Sequence, residues 1–88
     1  MNESNHEVVT LNKGETKSLI KLSGEGIYYV RVAGEDGRQY FTIIRSTAEN
    51  IFTDSWFANY FSISINLGVI SITQSYWDIT FFDVYKVS

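Results

Sequence analysis

Short β-forming runs broken by glycine and asparagine turns most constrain what this chain can fold into. Val, Ile, Thr, Tyr, Phe and Trp recur over stretches of six to eleven residues. No stretch of ten or more residues carries the apolar spacing of an amphipathic helix. Candidate strands cover 7–12, 16–23, 27–33, 38–46, 60–66, 69–74 and 77–87. Asn12-Lys13-Gly14-Glu15, Gly24-Glu25-Gly26 and Asn66-Leu67-Gly68 separate them, and Gly34-Glu35-Asp36-Gly37 is the strongest hairpin signal because its glycines supply positive φ angles. Alternation predicts which side chains share a face. Ser18, Ile20 and Leu22 oppose Lys17, Leu19 and Lys21; Phe61, Ile63 and Ile65 oppose Tyr60, Ser62 and Ser64; Ile79, Phe81 and Tyr85 oppose Thr80, Phe82 and Val84. Residues 47–59 suit a turn or a short helix. The expected fold is all-β: a single antiparallel β-sandwich, or small barrel, of about seven short strands over residues 7–88, after a flexible polar tail at 1–6.

Composition narrows the function classes. Of 88 residues, 44% are hydrophobic and 19% charged, which supports a folded domain. Without cysteine there is no disulfide framework, thiolate nucleophile or cysteine-ligated metal. Ten Asp and Glu against seven Lys and Arg disfavour phosphate-backbone binding and anionic membranes. The segment Met1–Glu7 is polar and slightly acidic, so no signal peptide is expected, and no apolar run reaches the length of a transmembrane helix. No nucleic-acid partner and no membrane insertion are expected.

The inventory for catalysis is thin. His6 is the single histidine and falls in the expected tail, so triads that depend on it are excluded. Glu35 and Asp36 adjoin in a turn whose Asp-Gly is demanded by backbone geometry. Asp78 and Asp83, five apart in one expected strand, point to opposite faces. Glu49, Asn50 and Asp54 lack the spacing of a calcium loop, and Gly24-Glu25-Gly26 precedes a strand instead of opening a phosphate-binding helix. Tyr28, Tyr29, Tyr40 and Phe41 interleave with Arg31, Arg38 and Arg45, but that half of the chain carries seven acids against six bases. No catalytic, cofactor-binding or metal-ligating residue is assigned, no cofactor is expected, and the protein is expected not to be an enzyme.

Charge and aromatic content are unevenly divided. Residues 1–50 hold thirteen of the seventeen charged side chains, whereas residues 51–88 hold ten of the fourteen aromatics. Charge-free, aromatic surface on the late strands is expected to meet another chain, because interface cores are depleted in charge and rich in aromatics; the alternative is that Ser, Thr and Asn cover the outer face. Residues 51–61 are densest in aromatics, and there two roles stand open: a plug for the end of the sandwich or a contact surface. The expected partner contacts are Trp56, Phe57, Tyr60, Trp77 and Phe82, with Phe82→Asp disrupting assembly and Lys17→Glu leaving it intact.

The closing run Phe81-Phe82-Asp83-Val84-Tyr85-Lys86-Val87 and the segment Gly26-Ile27-Tyr28-Tyr29-Val30-Arg31-Val32 resemble small β-sandwich modules of bacteriophage tail, baseplate and fibre proteins. That resemblance is a packing pattern and carries over no site residue. It implies a multimeric, virion-associated or phage-encoded protein, located in the virion or the host bacterial cytoplasm. The expected function is a non-enzymatic structural or attachment module that self-associates or joins other virion proteins. The alternatives are a small soluble binder of a host protein and a carbohydrate-binding module that stacks a glycan on Trp56 or Trp77.

Overall fold

In the computed structural model, which describes residues 5–88, those residues form eight strands and one short helix. In chain order these are β1 (His6–Leu11), β2 (Glu15–Ser23), β3 (Gly26–Gly34), β4 (Gln39–Ser46), β5 (Ile51–Phe52), α1 (Ser55–Tyr60), β6 (Phe61–Asn66), β7 (Val69–Gln74) and β8 (Thr80–Lys86). Two antiparallel sheets, ordered β1-β8-β3-β4-β5 and β2-β7-β6, pack as an open sandwich and do not close into a barrel. All seven expected strands are present. The eighth, two-residue β5 and the helix both lie in the stretch expected to be irregular. Residues 1–4 of the expected tail lie outside the described residues. His6 does not belong to a tail: it opens β1, opposite Tyr85 of β8. No helix among the described residues is long and apolar enough to cross a membrane.

The two sheets enclose one core. Val9, Leu11, Tyr28, Val30, Val32, Ile44, Phe82 and Val84 of the larger sheet meet Leu19, Leu22, Phe61, Ile70 and Ile72 of the smaller, with Phe57 of α1 between them. Those of β1, β3, β4, β6, β7 and β8 lie on the inward side of the pleat, as period-two alternation demands. At the mouth of β3, Gly26 has φ +149° and passes the chain end so closely that a Cβ there would lie 2.1 Å from the Ser88 carbonyl oxygen. No other residue fits that position without moving the chain end.

β2 departs from the expected alternation. Ser18 pairs with Ser71 and Ser23 with Val69, so five residues of β2 span what two residues span in β7. The excess forms a bulge that turns both Leu19 and Leu22 inward and leaves Ile20 88% exposed. Such a bulge takes backbone N–H groups off the ladder, and here a side chain receives them. The carboxylate of Glu7, buried in β1, accepts from the backbone N–H of Ile20 and Lys21, each at 2.8 Å, and of Leu22 at 3.2 Å. A carboxylate offers about four lone-pair directions, enough for three convergent donors. Glu7 thereby ties the edge of one sheet to the edge of the other.

Tyr28, fully buried, donates its phenol to the Gly24 carbonyl at 2.7 Å. Burial raises its pKa above the ordinary value of 10.0. The folded state then holds the phenolic proton more tightly than the unfolded chain. The resulting stability is fully present below pH 10 and falls as pH rises beyond it. Melting temperature should therefore drop more steeply above pH 10 in the native chain than in Tyr28→Phe, and parallel curves would contradict this.

Candidate binding surfaces

All five residues expected at a contact surface come together at one end of the sandwich, in a single aromatic cluster. α1 carries three of them in succession around its axis. Phe57 points into the core, 5.7 Å from Trp56 and 6.4 Å from Phe82 between ring centres. Trp56 and Tyr60 lie on the outer side. Trp77 lies 4.9 Å from Tyr60 and 5.2 Å from Phe61. Depth divides the set. Phe57 and Phe82 are 0% exposed and cannot touch a partner of the folded chain, whereas Trp56 and Trp77 are half-buried and Tyr60 is exposed. Within the stretch 51–61, Phe57 plugs the sandwich while Trp56 and Tyr60 face outward.

Tyr40, Tyr60, Tyr76 and Trp77 line the apolar side of an open cleft of about 640 Å³. Lys13, Glu35, Asp36, Arg38 and Asp78 supply its charged side. The loop 75–79 that brings Tyr76, Trp77 and Asp78 there is held by Gln74, a fully buried residue at the end of β7. The Gln74 oxygen accepts from the N–H of Tyr76 at 2.7 Å and of Trp77 at 2.6 Å. Its amide donates to the carbonyls of Trp77 at 2.5 Å and Asp78 at 2.6 Å. Two donors and two acceptor positions are all a glutamine amide has, and each is used. This clamp is why β8 begins at Thr80 and not at Trp77. Sequence alternation gave no sign of it, because a lone glutamine at a strand end carries no spacing signal.

A second surface covers the outer face of the five-stranded sheet. Registry across β1, β8, β3 and β4 aligns Val8–Asp83–Arg31–Phe41 in one row and His6–Tyr85–Tyr29–Ile43 in the next. Thr10–Phe81–Ala33–Gln39 flank them on one side, and Ile27–Arg45–Phe52 on the other. Val8, Ile27, Tyr29, Phe41, Ile43, Phe52 and Phe81 are each between 39% and 58% exposed. Tyr29 stacks on Phe41, with ring centres 5.8 Å apart. The charges at the centre of this apolar field are paired: Asp83 accepts from the Arg31 guanidinium and lies 3.3 Å from the His6 ring, which stacks on Tyr85, whereas Arg45, exposed in the outermost row, has no acidic partner among the described residues. His6 is thus part of a built surface, contrary to its expected place in the tail. Tyr28 and Tyr40 face away from this sheet surface, so the four aromatics interleaved with arginine do not form one platform.

The late strands part company. β8 joins the five-stranded sheet, while β6 and β7 show the solvent a field of hydroxyls aligned as Thr16–Thr73–Ser62 and Ser18–Ser71–Ser64. Thr16 and Thr73 are hydrogen-bonded at 2.7 Å, Ser18 and Ser71 at 2.8 Å. On that sheet Ser and Thr do cover the outer face. Among the described residues no three His, Asp or Glu side chains are placed to hold a metal ion. No family model matches the chain, no curated protein matches it, and no solved structure matches its fold.

Proposed function

We propose that the protein is a non-enzymatic structural or attachment module of a phage particle or similar assembly, and that it self-associates through the outer face of its five-stranded sheet. The observation that carries this reading is the field of seven large apolar side chains around a charge cluster already satisfied within the chain. A second copy can cover the centre of such a face without burying an unpaired charge, which is the expensive part of most polar interfaces, while Arg45 in the outermost row stays at the rim. A two-fold axis would set the same patch on both copies, apolar field against apolar field. Four strands about 4.8 Å apart and four rows about 6.8 Å apart give roughly 500 Å² per copy and about 1,000 Å² in all, the lower bound for a specific interface. The closing run that resembles phage modules lies in β8, whose Phe81, Asp83 and Tyr85 face this surface.

Two single substitutions test the reading. Ile43→Lys and Phe41→Asp alter exposed residues at the centre of the face, so each should leave the fold intact while shifting the protein to monomer in sedimentation velocity. Ser64→Lys, on the hydroxyl-covered sheet, should sediment as the native chain does. Equal sedimentation of all three variants and the native protein would refute the assignment of this face.

A further inference from the structure

The cleft at the sandwich end belongs to a different surface from the sheet face. We propose that it is a binding site for a neutral saccharide, seated among Tyr60, Tyr76 and Trp77 with its C–H face against one of these rings and held through its hydroxyls by Asp36, Arg38 and Asp78. Three observations carry this.

The rings are contiguous and build an angled wall, with Tyr76 edge-on to Tyr60 at 80° and Trp77 tilted to it by 37°. Tyr40 lies 5.6 Å from Trp56 and 5.9 Å from Trp77, and Tyr60 lies 4.9 Å from Trp77 and 5.6 Å from Tyr76. Tyr76 is 66% exposed. Packing does not demand that a tyrosine stand so far out, nor that a buried glutamine spend its whole hydrogen-bonding capacity on fixing the loop that holds it. A rigid aromatic platform is what a site needs if little affinity is to be lost in ordering it.

The charged side of the cleft is mixed in sign, and this selects the ligand. Arg38 and Lys13 can only donate, while Glu35, Asp36 and Asp78 can only accept. A phosphate would face three carboxylates, and an ammonium ion would face a lysine and an arginine. A hydroxyl both donates and accepts, so a polyhydroxylated neutral molecule satisfies neighbours of both kinds. Asp36 and Arg38 are also oriented in advance: the Asp36 carboxylate accepts from the Arg38 backbone N–H at 3.0 Å and lies 3.5 Å from its guanidinium.

Shape agrees with this chemistry. A pyranose has a C–H face that lies against an aromatic ring and a rim of hydroxyls, and the cleft sets both kinds of wall side by side. Its volume, about 640 Å³, falls within the range of about 300–1,000 Å³ found for small-molecule sites.

The test is a titration of the full chain with maltose, cellobiose, lactose and chitobiose, followed by tryptophan fluorescence and the indole N–H resonance of Trp77. Choline chloride and inorganic phosphate serve as the cationic and anionic probes. At least one disaccharide should give a saturable shift of the Trp77 resonance, and neither small ion should. Tyr76→Ala and Arg38→Ala, both at exposed positions, should each weaken that binding roughly tenfold with the melting temperature unchanged. Ile43→Lys, on the sheet face, should bind as the native chain does, which separates this site from self-association. A flat response to all four sugars, a stronger response to choline or phosphate than to any sugar, or undiminished binding in both cleft variants would each overturn the proposal.

Discussion

Phe82→Asp should leave the chain unfolded at 25 °C, with the near-ultraviolet circular dichroism of the aromatic cluster lost. Phe82 is fully buried in β8, 5.1 Å from Phe61 and 6.4 Å from Phe57 between ring centres. Removing a core phenylalanine costs about 3–5 kcal/mol, and a carboxylate in its place adds the penalty of an unpaired buried charge. A domain of this length has about 4–13 kcal/mol of stability in all. Lys17→Glu, at an exposed site in β2, should change stability by less than about 0.5 kcal/mol. Sequence patterning made Phe82 a contact residue, and the same pair of substitutions would then have reported on assembly. With Phe82 in the core they report on folding. A cooperatively folded Phe82→Asp protein with a native near-ultraviolet spectrum would contradict this packing.

Glu7→Ala should lower stability by about 3 kcal/mol and the melting temperature by about 12–24 °C. The substitution strips three backbone N–H groups in the β2 bulge of their acceptor, and two of these lie beside the buried Leu19 and Leu22. Charge-assisted bonds from backbone N–H to carboxylate are about twice as strong as neutral ones, and donors left without a partner cost more than the bonds themselves contribute. Glu7→Gln keeps one acceptor oxygen but sets an amide against the remaining donors. It should therefore fall between the native protein and Glu7→Ala. Urea denaturation checks both, and a loss below about 0.5 kcal/mol for Glu7→Ala would show that the bulge does not depend on this carboxylate.

These two residues mark how far the sequence could be read. Local rules hold where they apply: Gly37, at φ +82°, turns the chain from β3 into β4, although Gly34 ends β3 without the expected positive φ, and strict alternation in β6 sets Phe61 on the inner side. They failed where one element answers to another far along the chain. Nothing near residue 20 reveals that Glu7, thirteen residues earlier, supplies the acceptor for a bulge, so alternation alone sets Leu19 and Leu22 on opposite faces. The candidate site divides in the same way. Composition gathered Trp56, Tyr60 and Trp77 with the core residues Phe57 and Phe82, because an aromatic count cannot tell the inner side of a cluster from its outer side. It also missed the sheet face. That face draws Tyr29, Phe41 and Ile43 from the charge-rich half of the chain, and only the insertion of β8 between β1 and β3 sets Asp83 where it neutralises Arg31.

The role of the protein turns on what covers that face. Native mass spectrometry of the unmodified chain over a range of protein concentrations tests it most directly. A closed assembly of defined copy number, most simply a dimer, that dissociates on dilution and is lost in Ile43→Lys is the predicted result. A monomer at every concentration would contradict it.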